Sequence, residues 1–159
     1  MPNTQDPIVV SPETLERMKS ELEELTTTGR AEMSTRLQRA REFGDLKENA
    51  EYHSAKDAQG MMEARIRTLE ATVNRAVVRD SPAQTDQAAV GVIVTVKDGD
   101  DTEDYLLAQS NEEKLPGMRT VTTSSPLGTA LVGRRVGEIV EVSAPAGKFK
   151  VEIVAMRAS

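Results

Sequence analysis

Two carboxylates, Asp45 and Glu48, lie three residues apart in the stretch Arg41-Glu42-Phe43-Gly44-Asp45-Leu46-Lys47-Glu48-Asn49-Ala50-Glu51-Tyr52-His53. Carboxylates are hard oxygen donors. Mg²⁺ is a hard cation that keeps several waters and often takes only one or two carboxylates from a protein. Asp45 and Glu48 can therefore supply part of a Mg²⁺ site, and a partner would have to supply the rest. The same spacing has a second reading. Asp45 can cap a helix, with Glu48 at N3 reaching back to complete a capping box. D-x-x-E matches at helix starts are common, so spacing alone favours the cap. Both readings hold together if Asp45 caps weakly and stays exposed.

Cationic side chains flank this pair: Arg36, Arg39, Arg41, Lys47 and Lys56, with Glu42, Glu51 and Asp57 interleaved. A solvated helix face with i,i+4 pairs accounts for that pattern by itself. The alternative is that Arg41 and Lys56, on opposite helices, form a patch for a phosphate backbone. His53 is the single histidine, and no constellation around it suggests catalysis, so packing or hydrogen bonding is its expected role. The acidic run Asp98, Asp100, Asp101 and Asp104 lacks the spacing of an EF-hand loop and reads as a solvated turn.

The elements that must position the carboxylates are two helices. Ser11-Pro12-Glu13 is a helix start: a capping hydroxyl, a proline at N1 and an acid in the first turn. Leu15, Met18, Leu22 and Leu25 then recur at steps of three and four, and Met33, Leu37, Ala40 and Phe43 resume the stripe. Between them, Thr26-Thr27-Thr28-Gly29 is weak helix, costing roughly 2–3 kcal/mol relative to alanines. One helix, loosened near Thr28, is expected to end at Phe43, with Gly44 as its C′ residue. A second helix starts at or just after Asp45, with the stripe Ala55, Ala58, Met62, Ile66, Leu69, Val73, Ala76. The short link makes the two antiparallel. About 30 residues per helix would give an arm of about 45 Å, narrow near its tip because Ala50, Ala55 and Ala58 are small.

Beyond Val90 the period changes to two. Val90–Val96 reads as a strand buried on much of both faces, and Lys97–Asp101 as a turn. Tyr105–Ala108, Thr120–Thr122, Gly137–Val142 and Lys148–Val154 read as further strands. Pro126–Leu131 reads as a short helix capped by Ser124 or Ser125. The fold class is α+β: an antiparallel coiled-coil hairpin over residues 8–79, a linker over 80–89, and a small mixed domain with a mostly antiparallel sheet over 90–159. Residues 1–7 are expected to fray.

Composition narrows the function. Aromatic residues make up 3% of the 159, with no Trp, which argues against a stacking platform for single strands. Net charge is −6, shared as −2 over residues 1–79 and −4 over 80–159, so neither half carries the cationic excess of a binder of bare nucleic acid. No cysteine is present, which excludes disulfides and thiolate zinc sites. No apolar run is long enough to span a membrane, and no signal peptide is expected.

The run Ala40–Lys56, followed by Gln59-Gly60 and Glu63-Ala64-Arg65-Ile66, resembles the bacterial Gre transcript-cleavage factors, nearest their GreA branch. Ser124-Ser125-Pro126-Leu127-Gly128-Thr129-Ala130-Leu131-Val132-Gly133 is similar to the family's second signature. The resemblance covers roughly residues 10–157. It implies a coiled-coil hairpin and an FKBP-like domain without isomerase activity as its role. It further implies a cytoplasmic, monomeric elongation factor that docks on RNA polymerase and sends its hairpin into the secondary channel. There the carboxylates matching Asp45 and Glu48 would share an Mg²⁺ with the polymerase, which cleaves its own backtracked RNA. The factor itself would not be an enzyme. The basic patch for the RNA 3′ segment maps to Arg41 and Lys56, and polymerase docking to Ser124, Ser125, Pro126 and Leu127. Two other classes stay open: a channel-binding paralogue that inhibits polymerase without stimulating cleavage, and a coiled-coil adaptor whose tip is only a cap.

Overall fold

The computed structural model describes residues 6–80 and 84–159. The frayed segment expected at residues 1–7 and the linker expected at 80–89 therefore lie partly outside the described residues. The chain divides into two compact units: Leu15–Arg75, and the residues up to Thr14 together with Ala76–Ser159.

The helical unit is a hairpin. Its first arm runs through α1 (Pro12–Glu24), a π-helical segment (Leu25–Gly29) and α2 (Arg30–Arg41). Ser11 caps α1 as read: its Oγ accepts the Thr14 N–H at 3.2 Å. The weak Thr-rich stretch does not break the helix but widens it. Widening leaves backbone carbonyls of the preceding turn without their usual partners, and threonine hydroxyls fill in. Thr26 Oγ1 donates to the Leu22 carbonyl at 2.8 Å, and Thr27 Oγ1 to the Glu23 carbonyl at 2.6 Å.

The return arm is α3 (Ala50–Arg75). Residue pairs that meet rise along one arm as they fall along the other, so the arms are antiparallel. Leu37 and Ala40 bury against Ala55, with Met33 and Tyr52 packed on them. Arg30 and Glu63 pair through two hydrogen bonds of 3.0 Å, and Arg65 and Glu21 through two of 2.9 Å. The fork of a guanidinium matches a carboxylate edge-on, so each pair also fixes helix register.

The second unit holds a five-stranded sheet and a two-stranded one. In chain order the strands are β1 (Ile8–Val10), β2 (Ala76–Val78), β3 (Val92–Asp98), β4 (Asp101–Ala108), β5 (Arg119–Thr122), β6 (Ile139–Ala144) and β7 (Gly147–Ala158). The large sheet has the order β5-β4-β3-β7-β6, antiparallel except for the parallel β4–β5 pair. Central β3 is buried at every residue from Val92 to Val96 except Thr95, as its apolar run requires. Val94, Leu107, Leu131, Val142 and Ile153 meet in the core. Of the four acids read as a turn, Asp100 lies in one, while Asp98 ends β3, Asp101 starts β4 and Asp104 lies within β4. Thr95 Oγ1 and the Arg157 guanidinium both donate to the Asp104 carboxylate, holding it below the usual carboxylate range.

Other expectations about the two arms also need correction. Ala76 does not extend the second helix: Ala76–Val78 is a strand paired in parallel with Ile8–Val10, because the β-branched Val77 and Val78 favour extended backbone. The first helix ends at Arg41 rather than Phe43. Glu42 and Phe43 close a turn onto the Arg39 and Ala40 carbonyls, each at 3.2 Å. That turn swings Phe43 off the stripe, and its side chain is 75% exposed instead of buried.

Short α4 (Pro126–Leu131) matches its expected bounds. It packs so closely that a Cβ on Gly128 would lie 1.9 Å from the Thr122 carbonyl oxygen. Gly128→Ala should therefore destabilise this unit by at least about 2 kcal/mol in urea denaturation. In the hairpin, the Arg30 hydrogen bond holds the Glu63 carboxyl below its ordinary range. A depressed carboxylate stabilises above its unfolded value of about 4.3 and loses that contribution as pH falls through the folded value. The stability gap between wild type and Glu63→Gln should accordingly shrink as the pH is lowered from neutral toward about 3.

Candidate functional site

The hairpin tip spans the residues between Arg41 and Ala50. Gly44 turns it with φ +121, a backbone that side-chain-bearing residues rarely adopt. Asp45 to Glu48 then form their own turn. The Glu48 N–H donates to the Asp45 carbonyl at 3.2 Å, and the Lys47 N–H to Asp45 Oδ1 at 3.2 Å.

The expected capping box is absent, because the helix begins later. Its cap is Asn49. Asn49 Oδ1 accepts the Tyr52 N–H, at N3 of α3, at 3.0 Å, while Asn49 Nδ2 donates in a short bond to the Ala40 carbonyl in the last turn of α2. The residue is 6% exposed. A carboxamide carries donors and acceptors together, so one side chain closes two helix ends; an aspartate carboxylate offers only acceptors. The signal was present in Asn49-Ala50-Glu51, a capping residue followed by an acid in the first turn, but the nearer D-x-x-E match outweighed it.

Relieved of capping, Asp45 and Glu48 are both exposed. Among the described residues neither forms an ion pair, and both Glu48 carboxylate oxygens accept no hydrogen bond. No group of three or more metal-ligating side chains occurs among the described residues.

Arg41 and Lys56 are exposed on α2 and α3. The Arg41 guanidinium carbon lies 5.8 Å from the Tyr52 ring centroid, a cation–π contact that holds it near the tip. Arg41 also lines a polar groove with Gln59, to whose Oε1 Lys56 Nζ donates at 3.1 Å. His53 is exposed, its ring edge-on to Tyr52.

In the other unit, Ser125 rather than Ser124 caps α4. Its Oγ accepts the Gly128 N–H at 3.1 Å and donates to the Thr122 carbonyl at 2.7 Å. Ser124 is exposed, while Pro126 and Leu127 line an apolar groove of about 390 Å³ with Val142 and Phe149.

Residues 8–78 match the family model described as "Transcription elongation factor, N-terminal", and residues 83–158 match "Transcription elongation factor, GreA/GreB, C-term". The chain belongs to the GreA/GreB transcription elongation factor family. It is 39% identical over 154 residues to the GreA of Thermoanaerobacter pseudethanolicus, covering 95% of this chain and 98% of that one. It is 40% identical over 140 residues to the GreA of Streptomyces avermitilis, covering 86% and 84%. A crystal structure of the GreA factor homolog 1 protein of Thermus thermophilus is 25% identical, with a TM-score of 0.45 over 96% of this chain and 99% of the other.

The two capping schemes in this Gre-family tip differ measurably. Asn49→Ala removes an N-cap and orphans the Ala40 carbonyl, and should cost about 2–4 kcal/mol in thermal unfolding. Asp45→Ala should stay within about 0.5 kcal/mol of wild type.

Proposed function

We propose that this Gre-family chain stimulates RNA polymerase's own Mg²⁺-dependent cleavage of backtracked RNA, without being an enzyme alone. The hairpin would enter the polymerase's secondary channel, and the groove beside Ser124, Ser125, Pro126 and Leu127 would dock on its surface. One observation carries this reading: α3 is capped by Asn49, which leaves Asp45 and Glu48 exposed and without an ion pair at the end of the hairpin.

Two carboxylates without a third ligand suit a site completed by another protein. A shared Mg²⁺ would supply Lewis-acid stabilisation of the scissile phosphate and lower the pKa of a bound water. Asp45 and Glu48 would contribute oxygens to that ion and accept hydrogen bonds from the attacking water, orienting it toward phosphorus. Arg41 and Lys56 would neutralise phosphates of the RNA 3′ segment. The chain's own charge of −6 fits a factor that reaches RNA only within such a complex.

The test uses a halted, backtracked polymerase with 5′-labelled RNA, this protein and Mg²⁺. Wild type should produce shortened, extendable RNA. The Asp45→Ala, Glu48→Ala double variant should bind the polymerase but lose stimulation by at least about a hundred-fold. Binding and slowed transcription without cleavage, from both proteins, would identify an inhibitor instead. Absence of binding would sink the reading altogether.

A further inference from the structure

We propose that the single ring of Phe43 stacks on one base of the backtracked RNA strand, with Arg39 placed for the adjoining phosphate; this rests on the function proposed above. Phe43 is 75% exposed, and Leu46, 45% exposed, brackets Asp45 from the other side. Exposing a phenylalanine this fully on a short turn forfeits the burial that an aromatic ring normally seeks. The Cα atoms of Phe43 and Asp45 are two residues apart, at most about 7.6 Å. A nucleotide held at the carboxylates would then have a neighbour within a few ångströms of the Phe43 backbone.

Phe43 lines one groove with Arg39 and Arg36, of about 450 Å³, a volume that suits a single small-molecule-sized unit. Neither arginine has a carboxylate partner among the described residues, although Arg30 and Arg65 on the same hairpin do. Arg36 makes one hydrogen bond, of 3.3 Å, to Ser54 Oγ. Glu32 and Glu51 share the groove, so it is no purely cationic track, and the ring must carry the attraction. Single-stranded RNA is bound in this way, by unstacked bases on aromatic faces with arginine on the backbone. Arg41 belongs to a different groove, so this contact is separate from the Arg41 and Lys56 patch.

The experiment compares cleavage of two backtracked RNAs, one with natural bases and one with an abasic residue in the extruded 3′ segment. Polymerase alone supplies the baseline. Wild type should stimulate cleavage of the natural RNA at least about five-fold more than the abasic one. Phe43→Tyr should keep that discrimination, and Phe43→Leu should erase it by lowering only the natural-base rate. Equal stimulation of both RNAs by wild type would overturn the proposal. So would Phe43→Leu weakening both alike, which would place the ring against protein. If wild type stimulates neither RNA, the functional reading itself fails, and the stacking contact falls with it.

Discussion

The side chain of Asn49 holds the hairpin closed at its tip. A helix end leaves backbone groups unpaired, and a hairpin brings two such ends together: carbonyls from the arriving helix and N–H groups from the departing one. Asn49 answers both at once, with its Nδ2 on the Ala40 carbonyl and its Oδ1 on the Tyr52 N–H. Its burial makes these bonds stronger and their loss more costly. Everything beyond the bridge then becomes a loop whose side chains owe nothing to helix formation. That separation allows a tip to be acidic and stable together.

Behind the tip, size and charge are sorted by position. Ala40 and Ala55 are small where the arms meet, so the helices approach closely there. Farther along, Met18, Ile66 and Leu69 are fully buried. Between these levels, forked ion pairs set register without adding bulk. The other unit follows different rules, with a valine-rich central strand flanked by antiparallel neighbours and a short helix seated on a glycine.

Much of this was legible in the sequence because it rests on local rules. Ser11 before Pro12, Pro126 after a serine, and the two-residue alternation around Val140 and Val151 each have one cheap structural solution. The misreadings share a cause: each turns on a backbone partner that side-chain periodicity does not encode. Asp45 looks like a cap until Ala40 is known to lie beside Asn49. Phe43 fits a helical stripe until the chain turns two residues early. Ile8–Val10 and Ala76–Val78 carry no hint of each other, because parallel pairing across 68 residues leaves no local trace. Nor could composition reveal that Glu113, 3% exposed, accepts the Ser11 N–H at the start of α1.

The π-helical segment solves a phase problem. From Leu25 to Met33 is eight residues. At about 100° per residue, an α-helix would rotate Met33 about 80° past Leu25, away from the seam. One wider turn absorbs the extra residue and returns Leu37 and Ala40 to face Ala55. The threonines are thus a vernier: they correct the azimuth of everything beyond them. The direction in which the acidic loop faces is set some fifteen residues before it, by a stretch that composition alone marks as the weakest part of the arm.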